Sequence, residues 1–255
     1  MSAPDRTDAA AARRARDALE ELLAEEPALA SGLPDGFGDG VERYVALLLR
    51  ANRDVNLTRV VEPAEVARLH LLDALAALPL LDAAGADRVV DLGSGGGVPA
   101  IPLAMARPEV EWVMVDSVRK KSAILAGFVE ALGLGNLTVL AERAETLGRD
   151  PAHRERYSVV TARACAPLPV LAELALPLVR VGGELLAWKG PLSAADEEVR
   201  RGRVAVGQLG GGRLRIEPAG PAALGGHTFV VVPKRTATPE RFPRRPGEPS
   251  RRPLG

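Results

Sequence analysis

The feature that most restricts how this chain can fold is a glycine-rich turn that follows a short apolar run, residues 88–92. Glycine occupies alternate positions of the turn, at Gly93, Gly95 and Gly97, and a helix is predicted to begin near Val98. Glycine adopts positive φ easily and lets backbone N–H groups approach a ligand. The positive end of the helix dipole points to the same place. The turn therefore predicts a small-ligand site at the end of a buried strand.

A second apolar run, residues 111–115, ends in Asp116. An acidic side chain after the second strand of such a unit can accept hydrogen bonds from both hydroxyls of a ribose. The same carboxylate could also cap the helix that follows, and the two roles are compatible. Together with the glycine turn, Asp116 predicts a cofactor that contains a nucleoside.

The spacing of the glycines bears on the identity of that cofactor. A dinucleotide fingerprint needs a third glycine, and Val98 fills its position here. The pattern Gly93-x-Gly95-x-Gly97, introduced by Asp91, is typical of S-adenosylmethionine-dependent methyltransferases, whose cofactor has no pyrophosphate. We therefore favour S-adenosylmethionine. A nicotinamide dinucleotide and a tight turn without any ligand are the alternatives.

Composition restricts the broad class of protein. The chain has 255 residues, 47% of them hydrophobic, and its 33 basic residues balance 33 acidic ones. The length allows one large domain, with or without an appendage. The balanced charge argues against extensive electrostatic binding of nucleic acid, but it permits a local basic patch. The single cysteine, Cys165, excludes an internal disulfide and a multi-cysteine zinc site. No apolar run reaches the roughly 20 residues that span a bilayer, and we expect a soluble, cytoplasmic protein without a membrane partner or a metal.

The pattern of the chain divides it into three regions. Residues 1–85 are predicted to form an N-terminal helical extension. Residues 86–233 alternate apolar runs with helical segments, which predicts a Rossmann-like α/β fold with a mostly parallel seven-stranded sheet that ends in a hairpin. Residues 234–255 form a basic tail rich in proline and arginine. The predicted helices are 8–30, about 41–49, 63–81, 98–107, 118–132, 166–179 and 193–201, and the predicted strands are 88–92, 111–115, 137–140, 157–162, 183–188, 213–217 and 227–232.

The tail could have one of three structures. It contains seven basic residues and two acidic ones, Glu240 and Glu248. It could be a solvated and disordered arm, an arm that lies on RNA phosphates, or a segment that folds back over the core.

Several short motifs follow one another in a fixed order, and the clearest is DLGSGGGVPAIPL at residues 91–103. The others are residues 52–58, 70–73, 115–121, 144–145, 161–164, 189–190 and 241–254. In this order they resemble the bacterial 16S ribosomal RNA guanine-N7 methyltransferase family, also known as the glucose-inhibited division protein B family. The resemblance covers nearly the whole chain beyond about residue 40. The chain departs from the family at Ala51, where tryptophan is usual, and at Ala100, where glycine is usual.

The resemblance implies a reaction and a set of site residues. The cofactor would be S-adenosylmethionine, and the acceptor would be N7 of the guanine at nucleotide 527 of 16S rRNA in the small ribosomal subunit. We expect the protein to act as a monomer. The residues implied to bind the cofactor are Asp91, Gly93, Gly95, Val98, Asp116, Ala144, Glu145 and Arg163. Those implied to bind RNA are Arg119, Lys189, Arg244, Arg245, Arg251 and Arg252.

Arg163 and Lys189 are predicted to position the reactants. Each follows an apolar strand, at the edge where ligands gather in open α/β sheets. The guanidinium of Arg163 could orient the cofactor carboxylate, a phosphate or O6 of the target base. Lys189 could hold an RNA phosphate or the base. The alternatives are a surface ion pair for Arg163 and a solvated side chain for Lys189.

Two other candidates have simpler explanations. Cys165 could be the nucleophile of a pyrimidine-C5 methyltransferase, but we favour a small core hydrophobe. His70 and Asp73 lie three residues apart on one predicted helix face, where they could contact each other, form a polar contact between helix and sheet, or shape an RNA cleft. A catalytic base at His70 is the alternative that we do not favour. A general base is not required, because guanine N7 has a lone pair and no proton.

Two competing functions remain open at this point. A small-molecule methyltransferase would share the cofactor-binding domain, although it would have little use for the basic tail. A non-catalytic ribosome-assembly protein would bind RNA whether or not S-adenosylmethionine is present.

Overall fold

The computed structural model describes residues 6–255, so residues 1–5 of the predicted N-terminal extension lie outside the described part of the chain. The helices are α1 Arg6–Ala24, α2 Pro27–Ala30, α3 Phe37–Asn52, α4 Pro63–Val66, α5 Asp73–Leu75, α6 Leu78–Ala83, α7 Ala100–Ala106, α8 Arg119–Leu132, α9 Ala144–Leu147, α10 Leu168–Ala175, α11 Glu197–Gln208 and α12 Glu248–Arg251. A π-helical turn, Ala67–Leu72, joins α4 to α5, and a 3-10 turn covers Ala222–Leu224. The strands are β1 Arg88–Leu92, β2 Glu111–Val115, β3 Leu137–Leu140, β4 Tyr157–Arg163, β5 Val179–Lys189, β6 Arg215–Pro218 and β7 Thr228–Pro233.

Within the described chain, the strands form one seven-stranded sheet in the order β3-β2-β1-β4-β5-β7-β6. Strands β1 to β5 are parallel to one another, and β7 is antiparallel to both of its neighbours, β5 and β6. The predicted fold class, including the closing hairpin, is confirmed. The strand order reverses between β1 and β4, and ligands bind at such a switch point, beyond the carboxyl ends of the strands.

Alternate residues of the central strands enter two apolar layers. On β1, Val89 packs into the layer that contains the N-terminal helices, α7 and α8, whereas Val90 and Leu92 pack into the layer that contains α10 and α11. Because both faces of the sheet are covered, its strands are continuous apolar runs. Each fully buried valine or leucine side chain contributes about 1.5–3 kcal/mol.

The N-terminal helices share one apolar layer with the sheet. Tyr44 and Leu48 of α3 are fully buried there. The predicted helix 8–30 is divided, because Pro27 starts α2 and proline is tolerated only in the first turn of a helix. The predicted helix 63–81 is likewise interrupted by the π-helical turn.

The basic tail folds back over the α10–α11 layer. Lys234 is 1% exposed, and its Nζ donates to Leu176 O at 2.6 Å. Phe242 is buried in the same apolar layer. The guanidinium of Arg154 donates to Phe242 O and to Gly148 O, both at 2.8 Å. Of the three predicted arrangements of the tail, the observed one is the segment that folds back over the core.

Helix α11 differs most from its prediction, since it covers Glu197–Gln208 instead of 193–201. The helix continues through Gly202, where a Cβ atom would lie only 2.5 Å from Leu168 Cδ2 of α10. Glycine therefore allows the close approach of two helices at this position. Strand β5 begins earlier than predicted, at Val179, which pairs with Tyr157 before a bulge.

Candidate functional site

The glycine-rich turn lies at the carboxyl end of β1, next to β4, where the strand order reverses. Gly93, Gly95 and Gly97 have positive φ angles of +72°, +56° and +94°. Gly97 is also sterically restricted, because a Cβ atom there would lie 2.5 Å from Ile101 Cδ1. The backbone of the turn therefore requires the glycines that the sequence shows.

The N-terminal region supports the turn from one side. The buried hydroxyl of Tyr44 donates to Gly96 O at 2.9 Å. Burial raises the pKa of Tyr44, so the hydroxyl stays protonated and remains a donor. A Cβ atom on Gly96 would lie 3.0 Å from Leu48 Cδ1. Helix α3 thus fixes the height of the turn above the sheet.

Asp116 ties the turn to the end of β2. Its Oδ2 accepts from Gly95 N at 3.1 Å and its Oδ1 accepts from Val118 N at 2.8 Å. The side chain therefore caps its own turn and holds the glycines in place. Each carboxylate oxygen has a second lone pair, so both remain able to accept a hydroxyl from a ligand.

Asp91 is buried beneath the turn, with 1% exposure. Its Oδ1 accepts from Thr161 Oγ1 at 2.8 Å, whereas Oδ2 has no hydrogen-bond partner among residues 6–255. Burial raises the pKa of Asp91 to about 6, although hydrogen bonds and the charge of Arg163 oppose the rise. An unpaired buried carboxylate oxygen is costly. A cationic donor, such as the ammonium group of S-adenosylmethionine, fits this position.

Two cavities open on the turn, and both are lined by Gly93. The first, which we call the Asp116 cavity, has a volume of about 180 Å³, and its lining includes Gly93, Asp116, Ala144, Glu145, Cys165 and Ser250. The second, which we call the Arg163 cavity, has a volume of about 160 Å³, and its lining includes Thr58, His70, Gly93, Gly95, Val98 and Arg163. The structure thus brings the predicted cofactor residues together around one turn, with Asp91 directly below it.

Ala144 and Glu145 start the short helix α9 at the edge of the Asp116 cavity. Glu145 is buried, and its Oε1 accepts from Gly247 N at 2.8 Å. This contact joins the cavity wall to the C-terminal part of the chain, more than a hundred residues away in sequence.

Arg163 is the centre of a polar network. Its Nη1 donates to Leu69 O at 2.6 Å and to Asp73 Oδ2 at 3.3 Å, and its Nη2 donates to His70 Nδ1 at 3.3 Å. Leu69 belongs to the π-helical turn, and such turns are frequent at functional sites. His70 and Asp73, which the sequence placed on one helix face, are therefore linked through Arg163.

His70 is neutral in this network. Because an arginine can only donate, Nδ1 of His70 accepts and Nε2 carries the proton, which Nε2 donates to Thr58 Oγ1 at 2.7 Å. Burial and the charge of Arg163 lower the pKa of His70 to about 4. Both ring nitrogens are engaged, so the arrangement favours a positioning role over that of a general base.

Sequence reasoning did not assign several members of the network. Thr58 lies in the motif 52–58 but had no stated role, and its backbone N–H is held by Asn52 Oδ1 at 2.9 Å. His227 precedes the last strand, and its Nδ1 lies 3.0 Å from Asp73 Oδ1. Only the folded chain shows that Thr58 joins this network through His70 and that His227 joins it through Asp73.

Two predicted RNA-binding cations are paired within the protein. Lys189 Nζ donates to Glu198 Oε1 at 2.6 Å, and its side chain is 15% exposed. Arg244 Nη2 donates to the fully buried Glu173 at 2.5 Å. Each cation would therefore have to share or leave its carboxylate partner in order to bind an RNA phosphate.

The other predicted RNA-binding residues lie at the surface. Arg119 begins helix α8, three residues after Asp116, and is exposed. Arg245, Arg251 and Arg252 are exposed on the C-terminal part of the chain. They are close in sequence to Ser250, which lines the Asp116 cavity.

Cys165 lies on the wall of the Asp116 cavity, so the expectation of a core hydrophobe is wrong. A Cβ atom on Gly93 would lie 3.1 Å from its Sγ. Limited hydration, together with the negative charges of Asp91 and Asp116, raises the pKa of Cys165 to about 11. The thiol is therefore protonated at neutral pH, which does not suit a nucleophile.

The described helices include none that is long and apolar enough to cross a membrane. Residues 6–255 also contain no group of three or more histidine, cysteine, aspartate or glutamate side chains that could hold a metal ion.

Solved structures share this fold. The citrinin polyketide synthase CMeT domain matches with a TM-score of 0.55, covering 86% of this chain and 69% of that domain, at 13% identity. An O-methyltransferase from Bacillus cereus, solved in complex with SAH, matches with a TM-score of 0.51, covering 73% of this chain and 89% of that one, at 17% identity. These matches show a methyltransferase-type α/β fold, and the glycine-rich turn lies at the switch point where such folds bind ligands.

Sequence comparison identifies the family. A family model described as rRNA small subunit methyltransferase G (GidB) matches residues 39–211. A curated protein of that name from Deinococcus deserti is 46% identical, over 85% of this chain and 88% of the relative. The one from Roseiflexus castenholzii is 45% identical, over 83% and 89%. The chain belongs to the rRNA small subunit methyltransferase G family, and the resemblance seen in its motifs is confirmed.

Proposed function

We propose that this protein transfers the methyl group of S-adenosylmethionine to N7 of a guanine in the RNA of the small ribosomal subunit. The observation that carries the proposal is the pair of cavities that share Gly93. The Asp116 cavity has the carboxylates that a nucleoside needs, and the Arg163 cavity has a cation beside the same turn. From the family resemblance, the expected acceptor is nucleotide 527 of 16S rRNA.

The cofactor supplies an electrophilic methyl group on its sulfonium sulfur. Asp116 accepts hydrogen bonds from the ribose hydroxyls through the lone pairs that Gly95 N and Val118 N leave free. Asp91 Oδ2 receives the ammonium group of the methionyl chain. Ala144 and Glu145 border the space for the base.

Arg163 orients the methionyl carboxylate or the target base. A guanidinium has five N–H donors. The contacts to Leu69 O and Asp73 use Nη1, and the contact to His70 uses one hydrogen of Nη2. The remaining donors, on Nε and Nη2, are available on a side chain that lines the Arg163 cavity.

The acceptor chemistry suits a site without a general base. Guanine N7 carries a lone pair and no proton, so the bond from N7 to the methyl group can form as the methyl–sulfur bond breaks, with S-adenosylhomocysteine as the leaving group and no proton released from N7. Catalysis then depends on alignment of the two reactants. The network around Arg163, with a neutral His70, provides a rigid surface for such alignment.

RNA is held mainly through its phosphates. Aromatic residues make up only 3% of the chain, so base stacking has few partners. The exposed cations Arg119, Arg245, Arg251 and Arg252 supply the phosphate contacts. A ribosomal acceptor implies a cytoplasmic location. We propose that the protein acts as a monomer.

The test is methyl transfer from labelled S-adenosylmethionine to small subunits from a strain that lacks this activity. Free 16S rRNA is assayed in parallel, and the product is mapped by chemical cleavage at N7-methylguanine. We expect label at a single guanine, and no label on subunits from a strain that retains the activity. Binding of the cofactor with no transfer to any ribosomal RNA would favour the small-molecule acceptor instead.

A further inference from the structure

The C-terminal segment, residues 244–252, lies against the Asp116 cavity. Ser250, in the short helix α12, lines this cavity together with Asp116 and Glu145. The segment comes from the far end of the chain, well beyond the last strand of the sheet. Its position therefore has to be fixed by contacts outside the sheet.

The first of these contacts is made by Glu145. Its Oε1 accepts from Gly247 N at 2.8 Å, and Glu145 is only 7% exposed. Gly247 has a φ of +80°, which turns the chain into helix α12. The carboxylate at the cavity edge thus positions the segment, and the segment in turn restrains that carboxylate.

The second contact is a buried ion pair. Glu173 of α10 is fully buried, and it accepts from the backbone N of Arg244 at 2.8 Å and from its Nε at 2.9 Å. Arg244 Nη2 also donates to Arg252 O at 2.8 Å, which ties the start of the segment to its end. Since a buried carboxylate without a partner is costly, Arg244 is strongly held.

We propose that the C-terminal segment is part of the cofactor site and forms one wall of the space for the adenosine group. The proposal rests on the proposed placement of the cofactor in the Asp116 cavity. The segment acts through Ser250, which lines the cavity, and through Gly247, which restrains Glu145. The ion pair between Arg244 and Glu173 serves as the anchor. Residues that follow the sheet thereby contribute to binding of the nucleoside.

The proposal is tested by a substitution in the C-terminal segment that places a large side chain in the Asp116 cavity. Ser250 is exposed and lines the same cavity as Asp116, so we expect Ser250→Trp to fold and its indole to occupy part of the cavity. We expect the affinity for S-adenosylhomocysteine, measured by calorimetry, to fall at least about tenfold. The matched control is Glu240→Trp, an exposed position of the same tail, which should change the affinity by less than about twofold. Thermal unfolding without ligand should be the same for both variants. Wild-type affinity in Ser250→Trp would overturn the proposal.

A measurement on the unmodified protein gives an independent test. We expect S-adenosylhomocysteine to slow hydrogen exchange at the amides of residues 247–251. Exchange at Gly207 and Gln208, at the exposed C-terminal end of α11, should not change. Unchanged exchange at 247–251 would contradict the proposal.

The variant Asp116→Ala separates the two possible failures. If it weakens binding while Ser250→Trp does not, the cofactor lies where we propose but the C-terminal segment is not its wall. If neither substitution weakens binding, the cofactor lies elsewhere, and both its placement in the Asp116 cavity and the role of the C-terminal segment fail, whereas the transfer assay still tests the methyltransferase activity.

Discussion

The two cavities beside Gly93 are built from different parts of the chain. Most of the Asp116 cavity comes from residues that directly follow the strands, such as Asp116 after β2 and Ala144 after β3. The Arg163 cavity combines Arg163 at the end of β4 with Thr58 and His70 from the N-terminal region. One cavity thus extends the sheet, whereas the other forms only where the helical region meets the sheet.

The Asp116 cavity is the part of the site that many α/β proteins share, whereas the Arg163 cavity depends on the N-terminal region of this chain. Strand ends that meet at a switch point provide a nucleoside site in many α/β proteins. The Arg163 cavity is instead lined by residues of the loop held by Asn52 and of the π-helical turn. We therefore expect substitutions near Asp116 to change cofactor affinity, and substitutions around Arg163 to change methyl transfer more than affinity.

The largest effect is expected for Arg163→Ala. Loss of the guanidinium removes the group that orients the reactants, and the rate of methyl transfer should fall by about 100-fold or more. A single-turnover assay with labelled cofactor measures the rate.

Two variants control for folding and charge in this experiment. Arg163→Lys keeps a cation beside Asp73 and should fold normally, yet it should remain impaired because it lacks the planar fork. Arg180→Ala removes a half-exposed arginine paired with Asp87 and should be fully active. Unchanged turnover in Arg163→Ala would refute the role of Arg163.

Asp116→Ala should mainly weaken cofactor binding. It removes the acceptor for Gly95 N and both proposed ribose contacts, so the affinity for S-adenosylhomocysteine should fall by about 30-fold, or about 2 kcal/mol. At saturating cofactor, the turnover rate should fall much less than the affinity. A large loss of turnover with normal affinity would reverse the assignment of the two cavities.

Cofactor affinity should depend on pH through Asp91. The pKa of Asp91 is raised to about 6 in the free protein, and only its ionised form attracts the ammonium group. As the pH falls below 6, a proton must leave before the cofactor binds, so affinity should fall by up to about tenfold per pH unit. Titration calorimetry between pH 5 and pH 8 measures this slope. Asp91→Asn should show weak binding with a flat profile, and a sloping profile in this variant would exclude Asp91 as the cause.

Thr58→Val should have the smallest effect. It leaves His70 Nε2–H without its acceptor and should lower the free energy of unfolding by about 1–3 kcal/mol. Methyl transfer should fall a few-fold while the affinity for S-adenosylhomocysteine stays normal. Denaturant unfolding and the transfer assay measure these quantities, with Thr236→Val at an exposed position as the control. A change in cofactor affinity alone would show that the two cavities are not separable.

The central strands were predictable because they are short apolar runs buried on both faces. The predicted bounds of β1, β2 and β3 agree with the structure. The sequence predicted that the N-terminal region is helical, but it did not predict where the helices 8–30 and 63–81 are interrupted. The π-helical turn was not predicted, and its Leu69 carbonyl accepts a hydrogen bond from Arg163, which is distant in sequence.

The same contrast applies to the site residues. The glycines and Asp116 were predictable, because positive φ and a carboxylate at a strand end are local properties. The partners of Lys189 and Arg244 were not, because Glu198 and Glu173 lie on helices whose position depends on the whole fold. Cys165 was placed in the core by its residue type, whereas the fold puts it on a cavity wall.

The sequence alone therefore determined the sheet, the glycine-rich turn and the class of cofactor, since these follow from backbone sterics and the order of apolar runs. Tertiary structure decided which charges are paired, that the tail folds back, and that Arg163, His70 and Thr58 meet at one cavity. The physical reason is that these contacts depend on distances in space and not on separation in sequence. Hydrogen bonds and ion pairs act over a few ångströms in space, and residues far apart in sequence come that close only after the core has packed.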